Sequence, residues 1–118
     1  MNRIRQFYKS LSFALRGLKY VILNEKNFQN ELAIGILVVF AMVYFRVTRA
    51  EMVVLFMVTM AVLIMELLNT IMERVVDILR PRVHPYARLI KDLMAAGVLL
   101  TSILAVIVGL IIFIPHLI

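Results

Sequence analysis

Residues 93–114 contain no charged side chain. A helix that crosses the hydrocarbon core of a bilayer needs about 20 consecutive, mainly apolar residues, and this run supplies them. Two weaker runs precede it. Residues 52–72 carry a single charge, Glu66, and residues 32–45 carry none. The earlier run is short by itself. Extended back through Glu31 to Phe28 it reaches spanning length, with its polar residues at headgroup level. The expected spans are therefore 28–45, 52–72 and 93–114. Pro81 and Pro85 fall between the last two, where a helix must break. Composition agrees: 64% of the 118 residues are hydrophobic and the mean hydropathy is +0.99. A water-soluble domain of that size could not bury so much apolar surface. The expected fold class is an all-α integral membrane protein, one domain over residues 1–118.

The first twenty residues differ. Ile4, Phe7, Leu11, Leu15 and Leu18 recur every three or four positions, while Arg3, Arg5, Lys9, Arg16 and Lys19 take the remaining faces. That pattern describes an amphipathic helix over about 3–22, lying on the membrane surface. The interspersed charges and the lack of a small-residue cleavage site argue against a signal peptide. Six Lys and Arg precede the first span, five lie between spans two and three, and only Arg46 and Arg49 lie between spans one and two. The positive-inside rule then places the N-terminus and the 73–92 segment in the cytoplasm, and the C-terminus outside. The net charge of +6 reflects this topology and anionic headgroups rather than nucleic acid. The absence of cysteine excludes disulfides and thiolate metal sites. Ala95, Ala96, Gly97, Thr101, Ala105 and Gly109 give span three small faces for close helix packing.

A carboxylate within a span is costly, by at least a few kcal/mol, so Glu66 needs a reason. On a helix Glu66, Asn69, Glu73 and Asp77 share one stripe, descending from membrane depth toward the cytoplasm. A second polar cluster, "NEKNFQNE", brings Asn24, Glu25, Asn27, Asn30 and Glu31 to the entrance of span one. A third, "HPYARLIKD", brings His84, Arg88, Lys91 and Asp92 to the entrance of span three. All three clusters fall on the cytoplasmic side. Carboxylates there could hold Mg²⁺ against nucleotide phosphates, with Lys or Arg balancing charge. Glu66 is deeper, and a carboxylate withdrawn from water is suited to taking a proton from a hydroxyl at the membrane boundary.

Spacing alone leaves three readings open. The stripe could be a nucleotide–metal site, an ion or proton path with Glu66 as relay, or a set of interfacial ion pairs such as Glu73 with Arg74 and Asp77 with Arg80. The four glycines, Gly17, Gly35, Gly97 and Gly109, make no phosphate-binding loop and no dinucleotide fingerprint. Any nucleotide would have to be bound by helix ends.

The stretches "NEKNFQNE", "ELLNTIMERVVD" and "KDLMAAGVLL", in this order and at this spacing, resemble the small bacterial diacylglycerol kinase and undecaprenol kinase family. The resemblance covers about residues 13–114. It implies a homotrimer of three-span subunits with sites between neighbours on the cytoplasmic side of the bacterial inner membrane. It implies transfer of the γ-phosphoryl of ATP to a lipid hydroxyl with Mg²⁺. Carried over by motif, Glu66 is the general base, and Glu25 and Glu73 are metal-binding carboxylates. Lys91 and Asp92 are a nucleotide-binding pair, and Arg82, Val83 and His84 form a loop that touches the nucleotide. Asn24, Asn69 and Asp77 are supporting polar positions. Two positions depart from the pattern. Gln29 stands where relatives often carry Arg, and Phe13 where proteobacterial diacylglycerol kinases have Tyr near the nucleotide. The absence of Trp and the "HPYARLIKD" run tilt the expected acceptor toward undecaprenol.

Overall fold

The structure, a computed structural model, describes residues 2–79 and 85–118. Among them the chain forms four helices: α1 (Arg3–Asn24), α2 (Lys26–Phe45), α3 (Arg49–Ile78) and α4 (Pro85–Leu117). The last three are each long and apolar enough to cross a membrane, and the chain is an all-α, multi-pass membrane protein. The expected spans lie within them, but the helices extend further. At about 1.5 Å per residue, α3 is about 45 Å long against a hydrocarbon core of about 30 Å. Helical hydrogen bonding is indifferent to where the apolar layer stops, so α3 carries its polar last turns beyond it.

Packing confirms that water is not the solvent of α2, α3 and α4. Only eight apolar side chains are buried among the described residues. Large apolar residues such as Leu37, Phe40, Met57, Leu100 and Ile111 are more than half exposed, a surface that only lipid or a neighbouring subunit tolerates. α1 buries Val21 alone and leaves Ile4, Phe7, Leu11, Leu15 and Leu18 open. Its apolar stripe has no covering partner among the described residues. The extents of 53 × 46 × 22 Å describe a flat molecule.

α2 and α3 are joined by a tight turn. Arg46 closes α2 in the left-handed conformation, with φ of 53°, and the N–H of buried Val47 bonds back to the Met42 carbonyl at 3.3 Å. Thr48 then caps α3. Its Oγ1 accepts from the Glu51 N–H at 3.2 Å, and Glu51 Oε1 accepts from the Thr48 N–H at 2.9 Å, a reciprocal capping box. Met42, Val47, Leu55 and Ile112 pack together at this end, with Phe45 and Phe113 against them. His116, near the end of α4, pairs with Glu51 at 3.1 Å.

Close approach elsewhere depends on small residues. A Cβ on Gly35 would stand 3.0 Å from Thr59 Cγ2, and one on Gly97 would stand 2.7 Å from Met65 Cε. The Thr101 hydroxyl donates to the Gly97 carbonyl one turn back, which hides its polar atom from the apolar layer. The small-residue face expected on span three thus meets α3 at Gly97. Gly109 has no such neighbour.

Candidate active site

The polar residues gather at the opposite end from the α2–α3 turn. Glu25 is the only residue between α1 and α2. Its extended backbone, φ −106° and ψ 108°, breaks the helix, while its N–H still bonds the Val21 carbonyl at 2.9 Å. The chain thereby changes direction at Glu25 and holds its carboxylate at the corner. Next to it Asn24 Nδ2 donates to the Tyr20 carbonyl at 2.9 Å. Gln29 Nε2 donates to the Ile22 carbonyl at 2.8 Å, ties the corner from the other side and brings no cation there.

The α3 stripe grades from buried to exposed as anticipated. Glu66 is 5% exposed and Asn69 is 8% exposed; Glu73 is half-buried and Asp77 is open. Buried polar groups need partners, and these have them. The Asn69 side chain is a hydrogen-bond partner of the Glu66 carboxylate. Thr70, also buried, returns its hydroxyl to the Glu66 carbonyl at 3.0 Å. Glu25, Glu31 and Glu73 all lie within electrostatic reach of Glu66. α2, α3 and the corner between α1 and α2 thus assemble three carboxylates around a buried one. Glu66 and Glu73 are about 10 Å apart along the helix axis and sit at different levels.

Two ion pairs close the cluster. Arg74 Nη2 donates to Glu25 Oε2, linking the α1–α2 corner to α3. Lys91 Nζ donates to Asp77 Oδ1 at 3.1 Å, linking α3 to α4. Arg74 therefore pairs across helices rather than with Glu73 beside it, and Asp77 pairs with Lys91; Arg80 lies outside the described residues. Asp92 is exposed on α4. Phe13 lies twelve positions before Glu25 on α1, about 18 Å along the helix, with the Arg16 guanidinium 5.6 Å from its ring centre. The structure does not bring Phe13 to the carboxylates. Arg82, Val83 and His84 lie outside the described residues.

Glu31, grouped with Glu25 in the polar cluster at the entrance of span one, joins the carboxylates near Glu66. One participant escapes sequence reasoning. Arg74 meets a residue 49 positions away, and no local pattern signals such a pair. Beside Glu31 a cleft of about 350 Å³ runs between α2, α3 and α4, lined by Gly35, Thr59, Val62, Ser102 and Phe113 among others.

Among the described residues no three Asp, Glu or His side chains converge into a ready-made metal cage. The carboxylates nonetheless suit Mg²⁺, a hard cation commonly held by one or two carboxylates, with water and substrate phosphates completing its shell. Glu25 and Glu73 supply donors of that kind. With Arg74 and Lys91 on its flanks, the cluster has the charge to receive a polyphosphate next to the buried Glu66 carboxylate.

Comparison with known proteins points the same way. The family model for prokaryotic diacylglycerol kinase matches residues 12–113. Undecaprenol kinase of Bacillus subtilis is 32% identical over 116 residues, covering 98% of this chain and 94% of that protein. Diacylglycerol kinase of a Synechocystis strain is 35% identical over 109 residues, covering 92% of this chain and 62% of that protein. Diacylglycerol kinase of Escherichia coli K12 is 32% identical over 108 residues, covering 92% of this chain and 88% of that protein.

Proposed function

The chain belongs to the prokaryotic diacylglycerol kinase family, and from that premise we propose that it transfers the γ-phosphoryl of ATP to the hydroxyl of a membrane lipid. The observation that carries this reading is the buried Glu66, held by Asn69 within a cluster that opens to water through Glu73 and Asp77. A lipid alcohol meets such a carboxylate without leaving the apolar layer. Glu66 takes the proton of that hydroxyl as its oxygen forms the new bond to the γ-phosphorus. The bond from that phosphorus to the bridging oxygen breaks, and ADP leaves. Phosphoryl transfer depends mainly on position and charge neutralisation, which the corner at Glu25 and the last turns of α3 provide. When bound, Mg²⁺ supplies charge neutralisation on the phosphates, and Glu25 and Glu73 are the residues that would hold it. Lys91, released from Asp77, is in place to meet a phosphate oxygen. Asp92 and the 82–84 segment complete the nucleotide contacts, with Phe13 the outlying member of that set.

The apolar cleft beside Glu31 offers the acceptor's hydrocarbon a place next to the carboxylates. The acceptor is undecaprenol in preference to diacylglycerol, a reading that rests on the "HPYARLIKD" run and on the Bacillus subtilis relative named undecaprenol kinase. Three subunits assemble, with each site between neighbours. The N-terminus and the site face the cytoplasm, as the distribution of Lys and Arg directs. The test is to offer labelled ATP to the purified protein with both lipids in one micelle. Label entering undecaprenol phosphate faster than phosphatidic acid supports the reading. The reverse order overturns the acceptor, and label in neither lipid overturns the kinase.

A further inference from the structure

Arg74 belongs to none of the roles assigned so far, yet it holds one of the two carboxylates expected to bind the metal. We propose that Arg74 is a built-in counter-ion: it neutralises Glu25 in the empty site and moves to the phosphates when the nucleotide arrives. This rests on the kinase reading of the same site.

Three observations carry it. The Glu25 side chain is 17% exposed and that of Arg74 is 55% exposed. The carboxylate is sheltered and fixed at a helix corner, and the arginine reaches in from a largely free position. Second, the pair crosses from α3 to the α1–α2 corner, with Tyr20 as a further partner of the guanidinium, so the charge is delivered to Glu25 from outside its own helices. Third, among the described residues Arg74 is the cation in an ion pair with Glu25, while Gln29 beside the corner is neutral and bonded to the Ile22 carbonyl.

The chemistry of the two states differs. Without ligand, Glu25, Glu31 and Glu73 all act electrostatically on Glu66, and like charges so placed repel; the guanidinium at Glu25 relieves part of this. A divalent cation at Glu25 would repel Arg74 and must displace it. A nucleotide brings several negative charges to the same place, and the planar guanidinium fork matches phosphate oxygens in geometry as well as charge. Arg74 is thus an obstacle to a bare divalent cation and an aid to the metal–nucleotide pair. Removing it should move the two affinities in opposite directions. A residue that only braced α3 against the corner would not produce that signature.

The test is Arg74→Gln in the full-length protein in detergent, read by two binding measurements. Mn²⁺ stands in for Mg²⁺ in the nucleotide-free protein, and loss of its free-ion electron-paramagnetic signal reports binding. AMP-PNP with Mg²⁺ is followed by calorimetry. For one exposed charge–charge contact, the expected changes are about threefold to tenfold each: tighter Mn²⁺ and weaker AMP-PNP. Arg74→Lys keeps the charge and loses the fork; it should leave Mn²⁺ binding near wild type while weakening AMP-PNP. Both affinities falling together, or neither changing in Arg74→Gln, overturns the proposal. Phosphate transfer to lipid by the wild-type protein is scored separately. Its presence with unchanged Arg74→Gln binding overturns the counter-ion and spares the kinase. Its absence with Mn²⁺ binding tightened as expected overturns the kinase and spares the counter-ion's role at Glu25.

Discussion

At the residue scale the central fact is a carboxylate almost without water. Glu66 is held there by the Asn69 side chain, a hydrogen-bond partner of its carboxylate, while the neighbouring carboxylates act against it as like charges. On the proposed reading, Glu66→Gln keeps the shape and removes the base. Phosphoryl transfer should then fall by about 10²–10⁴-fold, while AMP-PNP binding measured by calorimetry stays near wild type. Loss of nucleotide affinity with unchanged turnover would assign Glu66 to binding instead. Glu73→Gln should do the opposite, raising the Mg²⁺ concentration needed for half-maximal rate, which a magnesium titration reads directly. The depth of Glu66 and its stripe with Asn69, Glu73 and Asp77 are legible in the sequence because helical periodicity is local. The pairing of Arg74 with Glu25 is not. Sequence offers Glu73 as the nearest partner, but a helix points neighbours one residue apart in different directions, and the partner comes from another helix.

At the element scale the apolar runs locate the helices but understate them. Residues 52–72 mark where α3 is apolar, while the helix itself runs from Arg49 to Ile78. Hydropathy reports the solvent and not the hydrogen bonding, so the ends had to come from caps. The structure supplies the N-terminal cap, the capping box of Thr48 and Glu51. It also supplies the left-handed Arg46, since nothing about arginine announces that conformation. Two substitutions in this turn should move stability in opposite directions. Thr48→Ala removes a cap hydrogen bond and should cost about 1 kcal/mol. Arg46→Gly relieves the left-handed backbone and should gain about 1 kcal/mol. Unfolding by denaturing detergent, followed by circular dichroism, measures both. A loss on Arg46→Gly would mean that the guanidinium contributes more than its backbone costs.

At the scale of the whole molecule, a single chain leaves much apolar surface bare, which lipid or a neighbouring subunit would cover. Composition made membrane insertion legible. The way α3 packs on α4 was not legible, because small residues on span three mark a close approach without naming the partner; the structure supplies Met65 against Gly97. Trimeric assembly with shared sites is a proposal with its own test. Subunits carrying Glu66→Gln, mixed with subunits carrying Lys91→Ala, should regain activity in mixed oligomers, since some sites then take both intact residues from different chains. No recovery on mixing would put Glu66 and Lys91 of each site on one chain.

The rival to a kinase is an oligomeric proton path through the same Glu66, and one preparation separates the two. Wild-type protein in liposomes containing undecaprenol is given ATP labelled at the γ-phosphate, and a parallel sample is given a pH gradient without ATP. A lipid kinase puts label into the lipid, loses it in Glu66→Gln, and passes no protons. Proton uptake without ATP, together with unlabelled lipid, would contradict the account.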